Sequence, residues 1–378
     1  MGHVMVVAGE VSGDMHAARV VDKIKEIAPE TTFSGMGTTG LKNTGVDILI
    51  DPTEISTIGF MEALKNIKTH LSHLKLLKEH IKEKNPDILF LVDYSGFNMM
   101  MARVGRKLDI PVVNYFPPTA WIWGEWRARW MAKNNATIAS IFPMERKVYK
   151  KAGADVRFVG HPLLDMVQIE DSEEKIYSKL ELDPEKRIVG LMPGSRSSEI
   201  EYLLPEMLKG AEMLQKDFPD LQFVLPLAPD VDQKEISDRV GEYNIILKIV
   251  DKYTYQTMKI ADLMITASGT ATLESLIMKT PMIILYQTSW STYQLGSRLM
   301  NVEQIGMPNI IAGKEVVPEL LQDQVTGDNI YQEAVYLLKR DYLLQDLEKQ
   351  FNRIKEKLGS PGAVEETARL VLKEGGLI

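Results

Sequence analysis

The chain contains 378 residues, with 44 Lys and Arg against 52 Asp and Glu, and its net charge at neutral pH is −8. A hydrophobic content of 45% and a charged content of 25% exclude a disordered chain and are typical of a globular protein of about two or three domains. The acidic balance argues against binding of nucleic acid, and the absence of cysteine excludes disulfides, thiolate metal sites and cysteine nucleophiles.

Short apolar runs alternate with amphipathic stretches along the chain, which predicts parallel sheets covered by helices on both faces. The predicted strands are residues 4–8, 88–92, 112–116, 138–142, 188–192, 223–227, 245–250, 263–266 and 282–286. The predicted helices include residues 14–28, 60–84, 199–217 and 270–279. Because a polar segment at residues 169–187 separates two copies of the pattern, we expect an α/β protein of two Rossmann-like, doubly wound domains that face each other across a cleft.

The glycine-rich turn AGEVSGD, residues 8–14, follows the first predicted strand and opens a helix. Its two glycines allow a tight turn, and Ser12 or Asp14 can cap the helix. A plain strand-to-helix turn explains these residues but does not need Glu10. Since ligands of such sheets bind beyond the carboxyl ends of the strands, Glu10 is a candidate base or acceptor for a sugar hydroxyl.

Another acid follows the strand at residues 88–92. Asp93 ends this strand, and Asn98 comes five positions later, with Gly96 between them. Because an acid at this edge faces the predicted cleft, Asp93 is the stronger functional candidate of the two residues.

The turn PGSR, residues 193–196, occupies the corresponding place in the second half of the chain. It exposes backbone N–H groups ahead of a helix, and Arg196 adds a forked cation, which together suit a phosphate or diphosphate. The alternative is a surface ion pair between Arg196 and Glu199.

The segment SGTATLE, residues 268–274, also follows a strand and starts a helix. Small residues permit close approach of a ligand, the helix dipole favours an anion, and Glu274 can accept hydrogen bonds from ribose hydroxyls. The alternative is a capping box between Thr270 and Glu274. The presence of Arg196 in the same half favours a nucleotide site.

The predicted helix 60–84 combines an apolar stripe with a basic flank. Residues 65–84 contain six Lys and two Glu, a local charge of +4 in an acidic chain. The stripe consists of Phe60, Leu64, Ile67, Leu71, Leu74, Leu77 and Ile81. The basic flank consists of Lys65, Lys68, Lys75, Lys78 and Lys82, and His70, His73 and His80 lie on the other flank. Such a face is either the solvated side of a packed helix or a contact for an anionic lipid surface or substrate.

Four of the five tryptophans lie within residues 121–130, interleaved with Arg127 and Arg129. This mixture suits an amphipathic interface, a sugar platform or an interdomain seam, and a rigid packed loop is the alternative.

In their order and spacing, these motifs resemble those of the lipid-A-disaccharide synthase family, glycosyltransferases with the GT-B fold of two Rossmann-like domains. The resemblance covers nearly the whole chain. The motifs that carry it are AGEVSGD at 8–14, GFMEAL at 59–64, PDILFLVDYSGFN at 86–98, PTAWIW at 118–123, FVGHPLLD at 158–165, LMPGSRSSEI at 191–200, SGTATLE at 268–274 and PNIIAGKEVVPELLQ at 308–322.

The resemblance implies transfer of 2,3-diacylglucosamine from UDP to the 6-hydroxyl of a second 2,3-diacylglucosamine 1-phosphate, with inversion. The products would be a tetraacyl disaccharide 1-phosphate and UDP. It also implies an acceptor domain of residues 1–168 plus about 350–378, with the C-terminal helix returning to it, and a UDP-sugar domain of residues 169–349. The UDP-sugar is the donor substrate, and neither a cofactor nor a metal is expected.

The chain departs from the family pattern at two glycines. The family often carries an acid where Gly96 stands, so the candidate catalytic acids here are Glu10, Asp14 and Asp93. It often carries an arginine where Gly124 stands, and Arg127 is the candidate replacement. Asn309 and Glu315 lie in a family motif and are expected to face the donor. The predicted substrate-binding residues are Ser12, Gly13, Asn98, Trp123, Arg127, Gly194, Ser195, Arg196, Ser268, Gly269, Thr270, Ala271, Glu274 and Asn309.

The first residues lack the basic leader of a signal peptide, and no apolar run is long enough to span a bilayer, so a cytoplasmic protein is expected. Because both substrates implied by the resemblance are acylated, we expect peripheral contact with the anionic inner-membrane surface through the basic helix and the tryptophan segment. No nucleic-acid partner is expected, and a homodimer is left open. Two other functions stay open: a UDP-sugar epimerase of the same fold, and a non-catalytic homologue that binds a nucleotide sugar or a lipid.

Overall fold

The chain forms two compact units in the computed structural model. The structure describes residues 2–52, 60–228, 231–290, 293–294 and 304–378, and in the helix that begins at Phe60 it describes side chains from residue 68 onward. Unit 1 comprises Met1–Asp165 and Leu358–Ile378, and unit 2 comprises Met166–Lys357. The chain returns to unit 1 at Leu358, later than the predicted position near residue 350. The reason is that the helix Asp341–Lys357 belongs to unit 2, and only the segment after it joins unit 1.

Unit 1 is built on a parallel sheet whose strand order is β3-β2-β1-β4-β5-β6-β7. The strands are β1 (His3–Ala8), β2 (Thr32–Met36), β3 (Asp47–Ile50), β4 (Ile88–Val92), β5 (Val112–Tyr115), β6 (Ala136–Ser140) and β7 (Val156–Phe158). The helices between them are α1 (Val11–Ile27), α2 (Thr39–Asn43), α3 (Phe60–Lys84), α4 (Ser95–Lys107), α5 (Ala120–Trp123), α6 (Trp126–Lys133), α7 (Pro143–Lys151) and α8 (Leu163–Met166). The last helix of the chain, which we label α17 (Ala363–Glu374), packs against α1.

Unit 2 is built on a second parallel sheet, whose order is β10-β9-β8-β11-β12-β13. The strands are β8 (Ile188–Met192), β9 (Gln222–Leu227), β10 (Leu247–Asp251), β11 (Leu263–Ala267), β12 (Met282–Tyr286) and β13 (Glu319–Leu321). The helices are α9 (Glu173–Lys179), α10 (Ser197–Asp217), α11 (Gln233–Val240), α12 (Thr254–Ile260), α13 (Thr270–Met278), α14 (Met307–Ala312), α15 (Gly327–Leu338) and α16 (Asp341–Lys357). A 3-10 turn, Gln322–Gln324, follows β13.

The central strands of unit 1 are the part of the sheet that the sequence predicts best. All residues of β4 and residues 4–8 of β1 are completely buried, because helices cover both faces of the sheet. Such strands form unbroken apolar runs, and the predicted strands at 88–92, 188–192 and 282–286 are confirmed to the residue.

Four strands were not predicted, namely β2, β3, β7 and β13. Three of them, β3, β7 and β13, lie at sheet edges, where partial exposure removes the continuous apolar run. The fourth, β2, contains Gly35 at φ +146°, where a Cβ would lie 1.9 Å from the carbonyl oxygen of Val6 on β1. Glycine therefore permits the pairing of β1 with β2, although it weakens the sequence signal of a strand.

The first helix begins earlier than predicted. Glu10 is its N-cap residue in an extended conformation, with no hydrogen bond from its side chain to the helix, and α1 starts at Val11. The prediction that Ser12 or Asp14 caps this helix is therefore wrong, since both residues lie within its first turn.

Candidate active site

The first group of site residues lies where β1 and β4 end. These strands are neighbours, and Ala8 lies opposite Val92 in the parallel register. Glu10 and Asp93 follow the two strand ends, and the Ser12 hydroxyl donates to Oδ2 of Asp93 at 3.3 Å. The structure therefore brings Glu10, Ser12 and Asp93 to one edge of the unit 1 sheet.

Two glycines of the first motif permit this approach. A Cβ on Gly9 would lie 2.0 Å from the ring of Tyr94, and a Cβ on Gly13 would lie 2.9 Å from the Cβ of Asp93. Gly13 is thus required to let Asp93 pack against α1, and a direct contact with a ligand is not needed to explain it.

The surroundings of Asp93 change its acidity. Burial and, to a smaller extent, the nearby carboxylate of Glu10 raise the pKa of Asp93 to about 6, although the hydrogen bond from Ser12 opposes the shift. Its backbone adopts φ +40°, an uncommon conformation for a residue other than glycine. An acid whose pKa lies close to neutrality is suited to general base catalysis, since it is ionised at neutral pH and still takes up a proton readily.

The sequence did not single out Tyr94, which completes this group. Its hydroxyl is 2.7 Å from Nε2 of His70 on α3, and its ring stacks near Phe97. Burial and the charge of Glu10 raise the pKa of Tyr94. Its position beside Asp93 in the family motif is the signal that would have found it.

Asp14 and Asn98 are buried, with 1% exposure each. The carboxylate of Asp14 accepts the backbone N–H groups of Thr38 at 2.6 Å and Leu41 at 3.2 Å, so it holds the start of α2. Both amide atoms of Asn98 lack a hydrogen-bond partner within the described part of the chain. Asp14 thus has a structural role, which leaves Glu10 and Asp93 as the accessible candidate acids.

The two departures from the family pattern differ structurally. A Cβ added at Gly96 would have no atom of the described residues within 4 Å, so a larger side chain would fit there. Gly124 has φ +115°, and a Cβ would lie 3.0 Å from Trp126, so the backbone itself disfavours an arginine at this position. Arg127 lies with its guanidinium 5.4 Å from the Trp126 ring centroid.

The tryptophan segment is divided between packed and exposed rings. Trp130 donates from Nε1 to the carbonyl of Met99 at 2.9 Å and so anchors α6 on α4. Trp123 is 40% exposed and Trp126 is 54% exposed. The segment is therefore neither wholly a packed loop nor wholly a surface platform.

Helix α3 presents Lys68, Lys75, Lys78 and Lys82 as exposed side chains. Leu77 and Ile81 of the apolar stripe are buried, whereas Leu71 is 54% exposed, so the stripe is only partly covered by the rest of the unit. The side chains of Phe60, Leu64, Lys65 and Ile67 lie outside the described residues. His80 contacts Oγ of Ser34 at 2.8 Å, which favours a packing role for that histidine.

The second group of site residues lies at the carboxyl ends of β8, β11 and β12 in unit 2. A small pocket of about 130 Å³ opens there, and Arg196, Glu199, Ser268, Tyr286 and Thr288 are among its lining residues. Burial and the charge of Glu199 raise the pKa of Tyr286, while Arg196 lowers it. Tyr286 and Thr288 were not predicted, although their place just after β12 is a signal that could have found them.

Arg196 forms the ion pair that the sequence offered as an alternative. Its Nη1 donates to Oε1 of Glu199 at 2.9 Å, and Oε2 of Glu199 accepts the backbone N–H groups of Ser195 at 3.2 Å and Arg196 at 3.3 Å. The side chain of Arg196 is 79% exposed, so its guanidinium can still reach a ligand in the pocket.

The segment 268–274 does not form the capping box that was the alternative. The N-cap residue of α13 is Gly269, with no side-chain cap, and Thr270 is already helical. Oε1 of Glu274 accepts the hydroxyl of Tyr255 at 2.9 Å, and burial raises the pKa of Glu274. Because no side chain caps α13, the first N–H groups of this helix, including that of Ala271, can bind an anion.

Asn309 is buried and fully hydrogen-bonded within unit 2. Its Nδ2 donates to the carbonyl of Val317 at 2.9 Å and to Oε1 of Glu319 at 2.7 Å. Its Oδ1 accepts the N–H groups of Val316 at 2.7 Å and Val317 at 3.0 Å. An asparagine amide has two donor and two acceptor positions for hydrogen bonds, and all four are used here. None is left to bind a UDP-sugar, so we assign Asn309 to holding this loop. Glu315, in the same loop, is exposed.

The described residues also bear on metal binding and on membrane insertion. No group of three or more His, Asp or Glu side chains there could hold a metal ion. None of the described helices is both long enough and apolar enough to cross a bilayer.

The chain is similar to known proteins in sequence and in fold. A family model described as lipid-A-disaccharide synthetase matches residues 4–370. The lipid-A-disaccharide synthase of Geobacter sulfurreducens is 38% identical over 370 residues, which are 98% of this chain and 96% of that protein. A glycosyltransferase from Rickettsia africae, at 14% identity and a TM-score of 0.61, covers 99% of this chain and 98% of its own. A UDP-GlcNAc 2-epimerase from Neisseria meningitidis, at 13% identity and a TM-score of 0.62, covers 98% of this chain and 100% of its own. The two structural similarities show the fold alone.

Proposed function

The chain belongs to the lipid-A-disaccharide synthase family, and we propose that it joins UDP-2,3-diacylglucosamine to 2,3-diacylglucosamine 1-phosphate to give a tetraacyl disaccharide 1-phosphate and UDP. The observation that carries the proposal is the family match over residues 4–370. The epimerase alternative is not favoured, because the family match and the curated relatives are synthases, whereas the epimerase structure at 13% identity shares the fold alone.

Asp93 is the base in this proposal. Its carboxylate takes the proton of the acceptor 6-hydroxyl as that oxygen attacks the anomeric carbon of the donor and the bond from that carbon to the diphosphate breaks. A single displacement inverts the configuration and releases UDP. Three features support Asp93: its pKa of about 6, its place at the carboxyl end of β4, and the open space at neighbouring Gly96. Glu10 tunes the pKa of Asp93 and can accept a second sugar hydroxyl.

Unit 2 stabilises the departing UDP in this proposal. The Arg196 guanidinium and the first N–H groups of α13 face the negative charge that develops on the diphosphate, and such preorganised donors lower the barrier to leaving. Glu274 accepts the ribose hydroxyls. The pocket at the ends of β8, β11 and β12, which Arg196 and Ser268 line, supports this assignment.

The acylated substrates require the protein to reach a lipid surface. We assign this contact to the exposed lysines of α3, to Trp123 and to Trp126, because basic side chains bind anionic lipid headgroups and amphipathic rings insert at the interface. The test is co-sedimentation with phosphatidylglycerol vesicles at low and high salt, with phosphatidylcholine vesicles as the control. Equal binding to both vesicle types, or none to either, would contradict the assignment.

An assay with purified components tests the catalytic proposal. UDP release from UDP-2,3-diacylglucosamine should depend on added diacylglucosamine 1-phosphate and should be lost when Asp93 is replaced. An epimerised sugar nucleotide formed without acceptor would instead support the epimerase. Binding of UDP without any turnover would support the non-catalytic homologue.

A further inference from the structure

The carboxylate of Glu199 occupies the donors that were expected to bind a phosphate. Its two oxygens accept the N–H groups of Ser195 and Arg196 at 3.2 and 3.3 Å and the Arg196 guanidinium at 2.9 Å. All three donors belong to the turn at 193–196, which the sequence assigns to an anion. In this structure an internal anion therefore satisfies them.

The turn is shaped around this carboxylate. Gly194 has φ +108°, and a Cβ there would lie 2.3 Å from Oε2 and 2.9 Å from Cβ of Glu199. Glycine at this position is therefore what allows Glu199 to fold back onto the turn. The side chain of Glu199 is only 23% exposed, and it lines the same pocket as Ser268 and Tyr286.

The pair between Arg196 and Glu199 can be exchanged. Arg196 is 79% exposed, and a solvated ion pair of this kind contributes little free energy, so a competing anion can displace it. A diphosphate carries more charge than a carboxylate and can offer Arg196 two oxygens at once, whereas Glu199 offers it only Oε1. A diphosphate in the pocket would also be repelled by the carboxylate of Glu199, which lines the same small space.

We propose that Glu199 is an internal substitute for the donor diphosphate, which holds Arg196 in the empty pocket and gives up the guanidinium when UDP binds. The inference rests on the proposed function, since it takes UDP as the ligand of unit 2. Glu199 is then a positioning residue that lowers the affinity for UDP and so speeds the release of the product.

The test is calorimetric titration of UDP into the full chain and into Glu199→Gln. The glutamine keeps the length of the side chain and one acceptor oxygen, but it removes the negative charge. We expect the Kd for UDP to fall by about 5-fold or more, since one unfavourable charge is removed from a partly buried site. The KM for the donor should fall with it, and kcat should fall as well if release of UDP limits turnover.

Glu201→Gln is the matched control, because Glu201 is exposed on the same helix and its replacement changes the net charge equally. This control should leave the Kd within about 2-fold of the wild-type value, since an exposed charge outside the pocket is screened by solvent. If Glu199→Gln binds UDP no tighter than the control, the proposal is wrong and Glu199 only caps α10. If the wild-type chain takes up no UDP, the donor assignment itself fails, and the two failures are thereby distinguished.

A crystal structure of the wild-type chain with UDP tests the exchange without any variant. The proposal requires Arg196 to contact a phosphate oxygen and to leave Oε1 of Glu199. A guanidinium that keeps its contact of 2.9 Å with Glu199 beside a bound diphosphate would overturn it.

Discussion

Replacing Asp93 by asparagine should lower activity and raise stability at the same time. Loss of a general base typically costs about 10² to 10⁴ in rate, and we expect kcat to fall in this range. The change in shape is small, since asparagine adopts a positive φ readily and its oxygen can still accept the Ser12 hydroxyl. The folded protein should therefore keep its structure and lose the base.

The gain in stability follows from the pKa of Asp93. The folded pKa of about 6 lies above the ordinary value of 3.8, so folding favours the protonated acid. The stability that this group contributes is complete below pH 3.8 and is lost as the pH rises through 6. At pH 7 the ionised Asp93 therefore lowers the free energy of unfolding by about 1–3 kcal/mol. The asparagine variant avoids this cost and should unfold at a higher urea concentration at pH 7.

The assay is UDP release as a function of pH, together with urea unfolding. Wild-type kcat/KM should fall as the pH falls through about 6, because protonation of the free enzyme removes the base. Glu10→Gln should shift this fall to lower pH, because Glu10 is one cause of the raised pKa of Asp93. Asp109→Asn is the matched control, since Asp109 also has a positive φ but is exposed. An Asp93→Asn variant with wild-type turnover would refute the assignment of the base.

Three other predictions concern unit 2 and the chemistry of the leaving group. Arg196→Ala should raise the Kd for UDP in calorimetry and lower turnover by about 10², and unchanged values would remove Arg196 from the site. Asn309→Ala should lower the free energy of unfolding in urea by about 2–4 kcal/mol, because it leaves buried N–H groups unpaired; an unchanged unfolding curve would contradict its structural role. Turnover should persist in EDTA, since positioned donors are assigned to the leaving group, and a loss that a divalent ion restores would count against this expectation.

The sequence by itself determined the two-sheet architecture and the places of its candidate sites. Central strands such as β4 and β8 are covered on both faces, so their apolar runs mark them without reference to the rest of the chain. The turns at 8–14, 193–196 and 268–274 follow such strands directly. Their position at the carboxyl edges of parallel sheets is therefore a consequence of local pattern and chain order.

Only the tertiary structure decided what the individual site residues do. Asp14 binds Thr38, which lies outside its own motif, and Asn309 binds Glu319, which lies in the same motif but reaches Asn309 only because the loop folds back. The pKa of Asp93 depends on burial and on Glu10, which lies far away in the sequence. Helices, strands and turns are largely set by neighbours in sequence, so they can be predicted from the chain. Hydrogen-bond partners and burial are set by which segments pack together, so they are known only from the fold.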